Sequence, residues 1–471
     1  MITTASTSTG GFPPSLLSYY FLLFLISSFI PSKHPTHRVL THMCIVFFQA
    51  FSPPPPPAPT DDNTAAAAAA TAAAAAESND VHAAMSRKYK LILASNRDEF
   101  LARPTRRPCF WDEIDDVKTK KNNEEKEDGM VIAQMQEPDI VTSSISSSTS
   151  SALSSSSSPF SHVLAGKDLA AGGTWMGVTR TGRFGVLTNV RTPTEDQIAA
   201  ATAAAAAAGG PASAVESSTS PQKEKVEKER KSRGQLVLDF LAQSDQNLSP
   251  MAYAQSFASV AGEGGKEDEP SSSSCDFAGY NLLVGDVGST EGEGEEVEMV
   301  YLSNKTPSPG QIQKLESNRL YAISNRLLDV PWAKLQRGKK LFAECLTEAA
   351  AATAAEEGEE GREDEDGVLA NLLLDRLLHD KEPCSPATDT GYPLEFEEKL
   401  ARICIPGVAL REEEEDGKEG SSVFGTTASI VVLVRRDRGM LFYERGLEWN
   451  EARKTHVDVW STVKRTEVKL L

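Results

Sequence analysis

Apolar positions in this chain fall into short runs of strand length and a few helical stripes, separated by long stretches with neither period. Met43-Cys44-Ile45-Val46-Phe47-Phe48 and Leu91-Ile92-Leu93-Ala94 are rich in branched and aromatic residues, and both predict strands. The second run ends abruptly in Ser95-Asn96-Arg97-Asp98-Glu99, which sets an amide, a cation and two carboxylates at one strand's edge. Thr174–Val178 and Arg183–Thr188 predict two strands around a turn at Arg180-Thr181-Gly182, and Tyr280–Val284 and Met299–Leu302 predict two more. Ser429–Val434 and Met440–Tyr443 predict a hairpin around Asp437-Arg438-Gly439, and Val457–Val463 a last strand. Helical spacing puts Leu236, Val237, Phe240 and Leu241 on one face of Gly234–Gln243. Pro331 opens a helix with Trp332, Leu335, Phe342 and Leu346 on its apolar side, and Val368–Leu378 is a further helix. Antiparallel hairpins with segregated helices argue an α+β fold.

The stretches between these elements change the domain count. A chain of 471 residues ordinarily suggests two or three domains. Here much of the length is alanine, serine, proline and glutamate, which cannot bury a core. The expectation is therefore one domain over 43–471, interrupted by disordered inserts at about 53–85, 114–158, 196–232, 262–275, 288–298, 349–367 and 411–422. An insert between the two first strands is tolerable, because loop-closure entropy grows only logarithmically with length.

Residues 1–42 form a leader. Leu16–Ile30 is apolar and uncharged but short for a membrane span, and no basic segment precedes it as in a secretory signal. An anchor or targeting leader, a loosely ordered extension and an over-extended translation start are the three readings, and the third is preferred because Met43-Cys44 follows.

Net charge is −19, concentrated in runs such as Glu412-Glu413-Glu414-Glu415-Asp416, which are solvated insert charges. No basic stripe marks a nucleic-acid partner. Six cysteines without a CxxC and seven scattered histidines signal neither disulfide framework nor metal site, and no cofactor is expected. The pattern is that of a cytoplasmic protein, and it carries no signal of oligomeric state.

Antiparallel pairing of the first two strands brings the start of one beside the end of the other, so Cys44 is expected next to Asn96, Arg97 and Asp98. A thiol beside a charged cluster is a candidate nucleophile site. The plainer alternative, a buried cysteine and a strand-end salt bridge, stays open on these residues alone.

Six motifs occur in order: Met43-Cys44-Ile45, Ser95-Asn96-Arg97-Asp98-Glu99, Gly172-Gly173-Thr174-Trp175-Met176-Gly177, Leu187-Thr188-Asn189, Gly279-Tyr280-Asn281-Leu282, and Ser324-Asn325 followed by Pro331-Trp332. Together they resemble the transport and Golgi organisation protein 2 family, also called the NRDE family. The resemblance implies a fold like that of N-terminal nucleophile hydrolases, with two stacked antiparallel sheets flanked by helices. It also implies a role in Golgi organisation and protein secretion, Golgi or mitochondrial association, and a small ligand such as haem or a lipid. By the same resemblance Cys44, Arg97, Asp98 and Asn189 are the catalytic candidates, and Asn96, Trp175, Asn281 and Asn325 the ligand-binding ones. If the protein is an enzyme, it is a cysteine amidohydrolase. Cys44 would attack an amide, its freed α-amine would act as base, and Asn189 would donate to the oxyanion. As a non-catalytic protein it would use the same pocket to hold its ligand. Asp98 is expected to face Cys44 if the strand has ended by Arg97.

Overall fold

The computed structural model describes residues 43–53, 72–111, 160–191, 231–243, 248–258, 277–288, 296–306, 311–355, 364–387, 394–413, 419–450, 452 and 455–470. Residues 1–42 and the expected inserts at 114–158 and 262–275 lie outside them. The elements below belong to the unit Thr41–Arg411 with Ser421–Leu471, apart from the facing ends of two strands.

The run that ends in Asn-Arg-Asp-Glu does not stop at its polar end. Tyr89–Phe100 is one strand, β2, buried along nearly its whole length. Its backbone groups are satisfied on both sides, which carries the polar side chains into the interior without orphaning the main chain. On one side lies β1 (Met43–Ala50), with Cys44 opposite Arg97 and Ile45 opposite Asn96. On the other lies β12 (Glu419–Arg435), which pairs as far as Phe424 opposite Phe100, with an irregularity between Thr426 and Ala428.

Two antiparallel sheets are built around this strand. The first has eight strands. It continues from β1 to β10 (Tyr321–Ile323), and from β12 to β11 (Val408–Glu413) and β13 (Gly439–Asn450). The two halves of β13 pair with β14 (Thr455–Trp460) and β15 (Lys464–Lys469). The second sheet is a seven-stranded meander in chain order. It runs through β3 (Thr105–Phe110), β4 (Val163–Asp168), β5 (Met176–Thr179), β6 (Arg183–Asn189), β7 (Tyr280–Asp286), β8 (Glu298–Ser303) and β9 (Ile312–Lys314).

Six α-helices occur among the described residues: α1 (Ala72–Lys88), α2 (Gly234–Ala242), α3 (Pro250–Ala258), α4 (Ala333–Ala355), α5 (Glu365–Leu372) and α6 (Leu394–Leu400). A π-turn, Leu373–Leu377, extends α5, so the predicted helix Val368–Leu378 is one continuous buried stripe with a change of pitch.

Three cores order the layers. Val46, Phe48, Leu93 and Val432 of the first sheet meet Val178, Phe184, Val186 and Leu283 of the second. The far face of the first sheet packs Phe47, Ile92 and Leu433 on Phe342, Leu369 and Leu373 of the helices α4 and α5. The far face of the second packs Leu282 and Val284 on Val237, Phe240 and Tyr253 of α2 and α3. Both sheets are thus covered on both sides, which is why β2 shows no simple apolar–polar alternation.

Composition misplaced four insert boundaries, the slightest at 288–298, where Val297 is buried and Glu298 begins β8. The second half of 53–85 is α1, because alanine is the best helix former and Val81 and Met85 anchor the helix on the core. The stretch 349–367 contains the end of α4 and the start of α5, with Ala349 buried. Strands β11 and β12 run into 411–422 from either side.

Candidate functional site

Side chains alternate between the faces of a strand, and the cores show which face is which. Val46, Phe48, Leu91 and Leu93 point between the sheets, whereas Ile45, Phe47, Ile92 and Ala94 point at the helices. Cys44 and Arg97 therefore face the second sheet, and they are direct cross-strand partners. Asn96 and Asp98 face the helices. The condition under which Asp98 would turn toward Cys44, a strand ending by Arg97, is not met: the strand continues to Phe100, so Arg97 takes that place.

On the helical side the two polar residues are tied into the protein. Asn96 Nδ2 donates to the carbonyls of Leu378 (2.7 Å) and Ile403 (3.0 Å), and its Oδ1 accepts from Ser429 Oγ (2.7 Å). Its amide is spent on binding β2 to the chain that covers it. Asp98 accepts from Thr426 Oγ1 at 2.5 Å. Burial pushes its carboxyl up to about 7, against the pull of Lys334 and the Thr426 bond. Burial likewise pushes Lys334 down to about 8, against the attraction of Asp98.

These shifts give a signed pH prediction. Between about pH 4 and 7 the folded protein holds a proton on Asp98 that the unfolded chain has lost, so stability falls as pH rises through that window. Between about pH 8 and 10.5 the unfolded chain holds a proton that folded Lys334 has lost, so stability recovers as pH rises. Thermal unfolding of wild type and Asp98→Asn at pH 4.5, 6 and 7.5 checks the first window. Wild type should lose stability relative to the variant at each step, and parallel curves would refute it.

On the other face a cavity of about 260 Å³ opens beside Cys44. Trp175, Leu187, Asn189 and Ala278 share its wall with the charged Arg103, Asp168, Lys231 and Arg233. Arg103 is held by Asp168 through Nε (3.0 Å) and Nη2 (2.8 Å). The lining carries three cations and one carboxylate, a net positive surround for an apolar floor.

The glycine pair of the Gly-Gly-Thr-Trp motif closes one wall. Gly172 has φ +83°, a left-handed conformation open to glycine at no steric cost. Gly173 lies so close to Gly234 that a Cβ there would be 2.4 Å from the Gly234 carbonyl carbon. Thr174 N donates to Gly234 O across the same approach (3.2 Å). The start of α2 is thereby laid directly on the motif.

The remaining expected residues divide. Trp175 and Asn189 line the cavity. Asn325 does not; it donates from Nδ2 to the Asn189 carbonyl (3.0 Å) and fixes the end of β6. Asn281 is also off the cavity wall. Its Nδ2 contacts Thr188 Oγ1, Ser324 O and Arg326 O, and its Oδ1 accepts from Tyr301 Oη. Sequence reasoning missed Arg103 and Asp168, and it placed Lys231 at the edge of an insert. Arg103 was visible as the arginine four residues beyond Glu99 in the strand-end motif.

Burial, and next the Asp98 carboxylate, push the Cys44 thiol up to about 12, while Arg97 pulls it the other way. A thiol in this setting is a neutral wall group at physiological pH.

Fold and site together define an α+β protein of two antiparallel sheets whose strand ends enclose a small, net-positive cavity beside a buried cysteine. A family model described as Transport and Golgi organisation 2 matches residues 75–130 and 148–449, and the chain belongs to that family. The matched residues include Arg97, Trp175, Asn189, Asn281 and Asn325; Cys44 precedes them. The Transport and Golgi organization 2 homolog of Mus musculus is 25% identical over 366 residues, which cover 76% of this chain and 87% of the relative. The corresponding homologs of Bos taurus (366 residues) and Homo sapiens (368 residues) are each 24% identical, with the same coverage.

Proposed function

We propose that the protein acts in Golgi organisation and protein secretion by holding a small amphipathic anion, lipid-derived in chemistry, in the Cys44 cavity. The names of its relatives support the cellular role. The observation that carries the ligand class is the lining, in which Leu187, Trp175 and Ala278 offer apolar surface and the charged residues sum to net positive. Such a combination suits an acyl chain with an acidic end. Haem fits less well. An axial ligand to its iron needs His, Met, Tyr or a cysteine thiolate. Cys44 is the one such residue on this wall, and its thiol keeps its proton to about pH 12. No helix among the described residues is long and apolar enough to cross a membrane. The place of action under this reading is the cytoplasm, at Golgi or mitochondrial surfaces.

Thermal unfolding with sodium octanoate tests the ligand class. The expected result is a dose-dependent rise in Tm in wild type, since a ligand at a hundred times its Kd stabilises by about 2.7 kcal/mol. Ala278→Leu, which fills the half-buried edge of the cavity, should reduce that rise. No rise in wild type, or an equal rise in the variant, would overturn the assignment.

A second reading, a cysteine amidohydrolase on an N-terminal-nucleophile-like fold, is favoured by the pairing of Cys44 with Arg97 and the presence of Asn189 on the Cys44 cavity. It requires a free α-amine on Cys44, which the Met43–Cys44 peptide bond withholds in this chain. Sequencing the mature N-terminus separates the two readings: a chain beginning at Cys44 restores the base, and one retaining Met43 removes it.

A further inference from the structure

A second cavity, also about 260 Å³, shares the Trp175 wall with the first, but it is built from other strands. Arg97 of β2 lines it, with Arg106 of β3, Ala428 of β12, Leu447 of β13 and His456 of β14. Arg97 is 2% exposed, and its guanidinium lies over the Trp175 ring at 4.6 Å. Nη1 donates to Thr427 Oγ1 (2.9 Å). Nε and Nη2 have no hydrogen-bond acceptor among the described residues. Those two nitrogens form the side-on fork that grips a carboxylate with two parallel bonds.

The same protein shows what that fork does when an acceptor is present. Arg103 directs Nε and Nη2 at one oxygen, Asp168 Oδ2, and Arg107 directs Nε (2.8 Å) and Nη2 (2.6 Å) at one oxygen, Glu444 Oε2, at the edge of this second cavity. At Arg97 the nearest carboxylate oxygen, Glu99 Oε2, is 3.6 Å from Nη2, which lends charge without closing a hydrogen bond. A buried guanidinium with an unfilled fork is costly, and an incoming acceptor removes that cost.

We infer that this second cavity is a carboxylate-binding site, distinct from the Cys44 cavity, in which the Arg97 fork takes the carboxylate. Trp175 and Leu447 flank a flat apolar body, and Arg106, half-exposed, attracts the anion. His456 is held in the wall, with Nδ1 facing the Leu447 carbonyl (3.1 Å) and Nε2 the Thr105 hydroxyl (3.2 Å), and burial with the nearby Arg97 pushes its pKa below the ordinary imidazole value. The ligand shares Arg97 with Glu99, and like-charge repulsion from Glu99 and from Glu448 on the cavity wall limits its affinity. The inference does not rest on the octanoate reading.

The test is calorimetric titration of wild type with sodium benzoate, benzamide and inorganic phosphate at constant ionic strength. Benzoate should bind saturably, at least tenfold more tightly than benzamide, which has the same body without the charge. Phosphate should bind more weakly than benzoate. Arg97→Lys keeps the charge but loses the fork, and should weaken benzoate at least tenfold. Glu99→Gln should tighten it. Because both of those residues are buried, Arg106→Gln at the half-exposed edge supplies a variant whose folding is secure; it should weaken benzoate about threefold. Ala278→Leu, which blocks the Cys44 cavity, should leave benzoate binding in place, so failure of one site is read separately from failure of the other. No saturable benzoate binding, equal binding of benzamide, or an affinity unchanged by both Arg97→Lys and Arg106→Gln would overturn the site and leave the fork to water.

Discussion

Replacing Asn96 by Ala should lower the stability of the protein by about 4 kcal/mol. The carbonyls of Leu378 and Ile403 and the hydroxyl of Ser429 all spend hydrogen bonds on this one amide, in a place without solvent. Deleting the amide leaves three buried polar groups to find partners, at about 1–3 kcal/mol each. Cys44→Ala, by contrast, removes one small buried group and should cost about 1 kcal/mol. Urea unfolding of the two variants side by side checks the ordering. If Asn96→Ala proved as mild as Cys44→Ala, the helix-facing placement of Asn96 would be wrong.

Gly173→Ala should be the second severe substitution, at about 3 kcal/mol. Its Cβ would stand 2.4 Å from the Gly234 carbonyl carbon and 2.8 Å from Gln235 N, both main-chain atoms that no rotamer change can move aside. Either α2 is displaced or the Gly-Gly-Thr-Trp turn is. In both cases the wall carrying Thr174, Trp175 and Arg233 opens. The variant should lose stability and the octanoate response together, and retention of that response at wild-type strength would show that the glycine contact does not shape the cavity.

The pairing of Cys44 with the Asn-Arg-Asp end of β2 was legible because antiparallel strands must place one start beside the other's end, whatever fills the turn. Which side chain faces Cys44 was not legible. That depends on whether the strand continues past Arg97, and the deciding residues, Phe424 to Thr426 of β12, lie more than three hundred positions away. The family resemblance makes Asn96, Asn281 and Asn325 ligand-binding candidates, and in the structure each spends its side-chain amide on backbone carbonyls of the chain. Nothing in the sequence separates an asparagine that binds a ligand from one that binds the chain's own carbonyls. The sequence pattern shows no strand at β3, β4, β9, β10, β11 or β15; β3 and β9 alternate weakly or are largely exposed, and pairing with β4 and β8 makes them strands. The hairpin turn at Asp437-Arg438-Gly439 was legible from composition alone, and Arg438 adopts the left-handed conformation there (φ 68°).

A binding cavity at this place requires Cys44 to be a neutral part of its wall. The most direct measurement is the pH dependence of Cys44 alkylation by iodoacetamide in the native protein, followed by peptide mass spectrometry from pH 6 to 9. Burial that pushes the thiol up to about 12 predicts no appreciable modification of Cys44 anywhere in that range, with rapid modification once the chain is unfolded. Alkylation of native Cys44 with a midpoint below about pH 8.5, the value of an ordinary free thiol, would contradict the account and restore the nucleophile.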